Sequence, residues 1–136
     1  MNIDTEKLAS ELKINCPEIV FALVHGSAVD PQCESPNDID LAVYLNCDFT
    51  LEFYSKVCDI IERTVPGLTP DVGILNKADV VYRFETLKGI LLFTRDEETY
   101  VSFFSLTCRE YESQMASYKR QHRWRLEAMN SEQPSA

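Results

Sequence analysis

The apolar run IVFALV at residues 19–24 passes through His25 into Gly26-Ser27, and ten residues later Asp38-Ile39-Asp40 opens a second apolar segment. A short apolar run bounded by turn-forming residues reads as a buried strand. A Gly-Ser turn at the end of such a strand offers backbone N–H groups and a hydroxyl to a phosphate. In the second segment Asp38 and Asp40 alternate with Ile39, Leu41 and Val43. Residues two apart on a strand share a face, so both carboxylates point one way, roughly 7 Å apart, while the apolar side chains enter a core. A bound cation makes such a like-charged pair tolerable, and hard cations such as Mg²⁺ take carboxylate oxygens. Phosphate cradle and metal carboxylates together point to nucleotide chemistry on a strand-built fold.

A third carboxylate stands where this chemistry needs one. Asp71 begins DVGIL at residues 71–75, another short apolar run. Phosphoryl transfer by two metal ions about 3.5–4 Å apart needs ligands on both. Asp38 and Asp40 are placed to bridge the pair. From a neighbouring strand, Asp71 would complete the second ion's site and take the proton of an attacking hydroxyl.

G-S, ten residues, D-x-D and a lone Asp on a later strand resembles the nucleotidyltransferase pattern of the DNA polymerase β superfamily. The stretch from Val72 to Ser113 is similar to the minimal nucleotidyltransferase (MNT) subgroup: Leu75-Asn76, Gly89 before an apolar strand, and Arg95-Asp96 before a long helix. The resemblance covers roughly residues 19–113. It implies a polymerase-β-like α/β fold, a short mixed sheet with helices mainly on one side and a long C-terminal helix. It implies Mg²⁺ on Asp38, Asp40 and Asp71, with Gly26 and Ser27 on the phosphates of ATP. It further implies an antitoxin that transfers AMP to a tyrosine of a HEPN-domain ribonuclease toxin. The turn departs from that subgroup, whose pattern is G-S-x-A-R-G. Here it reads Gly26-Ser27-Ala28-Val29-Asp30-Pro31. An acid at Asp30 would repel a triphosphate if it faced one and would change little if it faced solvent. Two other readings therefore stand beside the first. One is a catalytically weak antitoxin that neutralises its partner by binding alone; the other is a small-molecule nucleotidyltransferase of the aminoglycoside-modifying kind.

The 136 residues, 45% of them apolar, suit one domain with a core that needs no disulfides. That domain is expected over residues 1–130, followed by a disordered tail at 131–136. A net charge of −9 excludes nucleic-acid binding through bulk electrostatics. The basic residues Lys119, Arg120, Arg123 and Arg125 cluster near the C-terminus, either as a solvated helix end or as a contact for a partner, a polynucleotide or a phosphate; a homodimer or a hetero-oligomer is the expected assembly. The five cysteines show no metal-ligand spacing. The N-terminus is polar, and no apolar run approaches the ~18 residues of a membrane span. These features predict a reduced, cytoplasmic protein.

Apolar periodicity predicts helices at 5–13, 50–64, 77–87 and 97–129, and strands at 19–24, 38–45, 71–75 and 90–94. On the last helix Phe104, Cys108, Tyr111, Met115 and Tyr118 recur in steps of four and three, a stripe expected to face the sheet and then an interface. His25 reads as a hydrogen-bonded structural histidine, a phosphate contact or a group orienting a metal ligand, and His122 as a surface residue. Tyr44 shares the face of Asp38 and Asp40 and is a candidate cleft residue. Lys77 and Arg83 are candidates to reach phosphates. No His/Asp arrangement makes Ser27 a nucleophile.

Overall fold

The computed structural model describes residues 3–131. The expected tail lies outside these apart from its first residue, which closes the last helix. The chain runs α1 (Thr5–Asn15), β1 (Ile19–His25), a one-turn 3-10 helix (Ser27–Val29), β2 (Asp38–Leu45), α2 (Leu51–Thr64), β3 (Thr69–Ile74), α3 (Val80–Leu87), β4 (Ile90–Thr94) and α4 (Glu97–Ser131). The four strands form one sheet in the order β3-β2-β1-β4. β1 pairs antiparallel with both β2 and β4, while β3 lies parallel to β2. A parallel neighbour requires a crossover, and α2 supplies it.

Helix starts follow from capping. The carboxylate of Asp4 accepts from Lys7 N, the Thr50 hydroxyl from Phe53 N and the Asp79 carboxylate from Tyr82 N. Each satisfies an N–H that has no partner within its own helix. α3 therefore starts at Val80, three residues later than apolar periodicity predicts. The segment before it is held otherwise. The Asn76 side chain accepts from Leu45 N at 2.9 Å and donates to Leu45 O at 2.8 Å, holding the chain after β3 against the last residue of β2.

Strand alternation sorts the sheet into two buried faces. Ile39, Leu41, Val43 and Leu45 of β2 join Ala22 and Val24 of β1 against α1 and α2. Leu8 and Leu12 of α1 and Val57 and Ile61 of α2 are wholly buried there. Leu12→Ala in such packing costs about 2–5 kcal/mol. On the opposite face Phe21, Leu23, Ala42 and Leu75 pack with Tyr82 and Leu87 of α3 and Tyr100 and Phe103 of α4. Helices thus cover both faces, not mainly one. The alternating strands carry apolar residues on both sides (Leu41 and Ala42 are both buried), and each side must be shielded from water.

α4 is 35 residues long, about 52 Å at 1.5 Å per residue. Phe103, 8% exposed, packs on the sheet and the fully buried Thr107 meets Arg83 of α3, whereas Phe104 is 42% exposed. The predicted stripe is therefore displaced from the sheet and touches α3 instead, where Tyr111 stacks on Phe84 with ring centroids 3.8 Å apart. Arg83 fixes this register. Its guanidinium donates to Ala78 O, to the Thr107 hydroxyl and to the Glu110 carboxylate. Tyr118 and Trp124, further out, are more than half exposed. No helix among the described residues is long and apolar enough to cross a membrane.

Candidate active site

β2 carries Asp38 and Asp40 on the face that further along presents Ala42 and Tyr44, as strand alternation requires. The parallel register sets Asp71 of β3 directly beside Asp40. The antiparallel register sets His25 of β1 on its other side. One row across three strands therefore reads His25, Asp40, Asp71, with Asp38 one step along the same face. Gly26, at the end of β1, closes the group from above. It has φ 80° and ψ −158°, and a β-carbon there would stand 2.2 Å from Asp40 Oδ2. Glycine is required both for the backbone angle and for the contact. Ser27 follows, exposed, as the first residue of the 3-10 turn. The first N–H groups of such a turn have no partner within it.

The electrostatics of this row are one-sided. Burial pushes the Asp40 carboxyl above the usual carboxylate range, and the Asp71 and Asp38 carboxylates push the same way against the opposing His25. Burial likewise holds His25 below the ordinary histidine range, although Asp40, Asp71 and Glu85 favour its charged form. The His25 Nε2 atom is buried with no hydrogen-bond partner among the described residues. The satisfied structural histidine expected at that position is not what the fold provides.

A second row explains why α3 can approach. Ala42 and Gly73 lie side by side in the β2–β3 register. Tyr82 of α3 fills the space they leave. Its hydroxyl would be 1.8 Å from a β-carbon on Gly73, and its ring meets His25 edge-on with centroids 5.7 Å apart. Burial, then Asp71 and Asp40, raise its phenol above the ordinary range. Sequence reasoning passed over Tyr82. The signal was the small Gly73 two residues after Asp71, which leaves room for a large side chain from another element.

The remaining candidates separate. Tyr44 shares the acid face but lies further along it, stacked on Phe21 at 5.0 Å and against Phe103 at 5.8 Å, so it belongs to the core and not to the acid group. Arg83 is committed to α4, as described above, and is not free for a phosphate. Lys77 is exposed between β3 and α3. Lys88 instead brings a cation to the cleft of about 350 Å³ beside Gly26, which His25, Asp30 and Glu85 also line. Asp30 is exposed, and its Oδ1 accepts from Gln32 N at 2.9 Å.

The donor set fits a hard divalent cation. Asp38, Asp40 and Asp71 offer only carboxylate oxygens, and no Lys or Arg is among the charges that perturb Asp40. Among the described residues no three acidic, His or Cys side chains stand arranged to hold a metal ion by themselves. Mg²⁺ is usually held by one or two carboxylates together with substrate phosphates, not by a cage made wholly of protein.

The fold is similar to that of several solved toxin–antitoxin complexes. A mutant MntA-containing toxin–antitoxin superposes with a TM-score of 0.71 at 15% identity, over 91% of this chain and 99% of the other. A toxin–antitoxin with AMP-PNP gives 0.70 at 17% identity, over 91% and 99%. A tri-AMPylated Shewanella oneidensis HEPN toxin in complex with an MNT antitoxin gives 0.64 at 17% identity, over 90% and 95%. Comparison with curated proteins finds no match. The sequence family described as Polymerase beta, Nucleotidyltransferase matches residues 6–98, a span that holds the Gly-Ser turn and all three carboxylates. The chain belongs to the polymerase beta nucleotidyltransferase family.

Proposed function

We propose that this chain is a cytoplasmic antitoxin that transfers AMP from ATP to a tyrosine hydroxyl of a HEPN-domain toxin. The observation that carries the reading is the Asp40–Asp71 register with Asp38 on the same face and Gly26 packed on Asp40. The partner and the transferred group follow a similar complex, which pairs an MNT antitoxin with a HEPN toxin carrying AMP, and the tyrosine acceptor follows from the family resemblance. The catalytic unit is a single domain over residues 1–130, with no membrane or nucleic-acid contact of its own.

Asp38, Asp40 and Asp71 would hold Mg²⁺, which when bound neutralises charge on the triphosphate and on the transition state. Gly26 and Ser27 bind the β- and γ-phosphates through backbone N–H groups and the Ser27 hydroxyl. Asp71 accepts the proton of the incoming tyrosine hydroxyl. That oxygen forms a bond to the α-phosphorus, the bond to the bridging oxygen breaks, and pyrophosphate leaves. No covalent enzyme intermediate is needed, so catalysis rests on alignment and charge. The hydrogen bond from Gln32 N occupies one oxygen of the exposed Asp30, while the same residue lines the cleft beside Gly26, so the choice between transfer and neutralisation by binding alone rests on the mass experiment below.

The test is intact mass of a HEPN-domain protein from the same genome, co-expressed with this chain or with its Asp38→Asn/Asp40→Asn variant. Mass steps of AMP on the toxin with the wild type alone are expected. Tight co-purification without such steps would establish neutralisation by occlusion instead.

A further inference from the structure

We infer that Tyr82 is a positioning residue of the metal site, its hydroxyl donating a hydrogen bond to the Asp71 carboxylate and holding that carboxylate on the ion. The inference rests on the proposed assignment of Asp71 to the metal. Asp71 and Gly73 stand two apart on β3 and share a face, their Cα atoms roughly 7 Å apart. The Tyr82 hydroxyl occupies the place of the side chain that Gly73 lacks. The phenol therefore ends on the acid face of the sheet, one step along it from Asp71. Burial raises this phenol, and the charges that add to the effect are those of Asp71 and then Asp40. A tyrosine raised in this way keeps its proton at neutral pH and serves as a donor.

The ring is held in this direction from several sides. The backbone N–H of Tyr82 itself donates to the capping carboxylate of Asp79 at 2.9 Å. The next residue, Arg83, ties the helix to Ala78 O and to Thr107 of α4. His25 meets the ring edge-on across a centroid distance of 5.7 Å. Held so, the hydroxyl makes no hydrogen bond among the described residues. A polar group drawn out of water without a partner costs free energy, and a phenylalanine would fill the space over Ala42 and Gly73 without that cost. What the oxygen faces explains why it is there. Asp71 lies within hydrogen-bonding reach of Asp40, and the turn at Gly26 already packs on Asp40. Each of the two paired acids then has its own support, a glycine backbone for Asp40 and a phenol for Asp71. Hydrogen bonds from such neighbours fix the orientation of a ligating carboxylate.

The probe is Mn²⁺, counted by electron paramagnetic resonance in the presence of a non-hydrolysable ATP analogue. Tyr82→Phe removes one oxygen and keeps the ring. It should weaken Mn²⁺ binding about tenfold, the lower end of the usual loss when such a neighbour is removed. The melt of the metal-free variant should be no lower than that of the wild type, since the lost hydroxyl had no partner. Mg²⁺ should shift the tyrosine absorption of the wild type, and that shift should be missing from Tyr82→Phe. Tyr44→Phe, on the same face but stacked in the core, should leave Mn²⁺ affinity unchanged. Equal Mn²⁺ affinity of wild type and Tyr82→Phe overturns the inference and leaves the metal assignment standing. A Tyr82→Phe melt well below the wild type's also overturns it, because the hydroxyl would then be serving the fold. A wild type that binds no Mn²⁺ overturns the inference and the metal assignment together.

Discussion

Replacing Gly26 by alanine tests whether the turn and the Asp40 carboxylate form one packed unit. At φ 80° and ψ −158° the backbone occupies a region that glycine alone visits freely, and a β-carbon there costs about 1–3 kcal/mol. That carbon would also stand 2.2 Å from Asp40 Oδ2, far inside contact distance, so the carboxylate must swing away. Gly67 separates the two effects. It too has positive φ, 93°, yet a β-carbon on it meets nothing within 4 Å. Gly67→Ala should therefore lose about 1–2 kcal/mol of backbone strain alone. For a chain of this size that lowers Tm by about 3–10 °C. Gly26→Ala should lower Tm at least as far and should in addition weaken Mg²⁺-dependent ATP binding about 10–100-fold, the usual loss when the support of a metal ligand is removed. Thermal melts and calorimetric titration of ATP with Mg²⁺ read both quantities. If the two variants bind ATP equally well, the contact between turn and carboxylate has no functional weight and the reasoning fails.

Three further outcomes follow from contacts already described. Asp40→Asn should raise the thermal stability of the metal-free protein at neutral pH. A carboxyl raised above its ordinary value binds more protons folded than unfolded, so stability falls as pH rises through the window between the two values. The gain should vanish below that window, and a neutral-pH melt lower than wild type would contradict it. Arg83→Ala should cost about 1.5–3 kcal/mol in urea unfolding, because it strips α3 of its polar contacts to Thr107 and Glu110; Arg83→Lys should recover only part of this, since a lysine cannot span both partners. Asp30→Arg should change ATP affinity by less than about twofold, a shift of under ~0.4 kcal/mol, and a larger effect would show that Asp30 reaches the nucleotide.

The elements were legible in the sequence where one physical signal dominated. β2 and β4 have the predicted bounds, because alternation and flanking turn residues both mark them. The shared face of Asp38 and Asp40 follows from the strand period alone. The pairing of Asp71 with Asp40 does not, since register between parallel strands depends on how α2 packs, which no local pattern encodes. The face of α4 was misread for a similar reason. Phe103 and Phe104 are equally apolar, and tertiary contacts turn Phe103 inward: its packing on Phe21 and Tyr44 and the Arg83 and Phe84 contacts to Thr107 and Tyr111. Covering helices on both faces were legible in principle, since β2 alternates between two kinds of buried residue after Leu41. Tyr82 and the unpartnered His25 nitrogen belong to tertiary packing, with Gly73 as the one local hint.

The edge position of β3 also has a consequence for how the acid row comes together. β1, β2 and Gly26 form a contiguous antiparallel unit that holds Asp38 and Asp40. Asp71 joins only when β3 docks in parallel, after the α2 crossover has closed, and non-local parallel pairing is slow to form. A strand with a neighbour on one side is also the first to let go in local opening. The row is thus completed late in folding and is the part most easily undone. Peeling β3 away would strip out one carboxylate and leave the other two with their glycine, so the three-acid arrangement can be lost and regained without the rest of the chain unfolding.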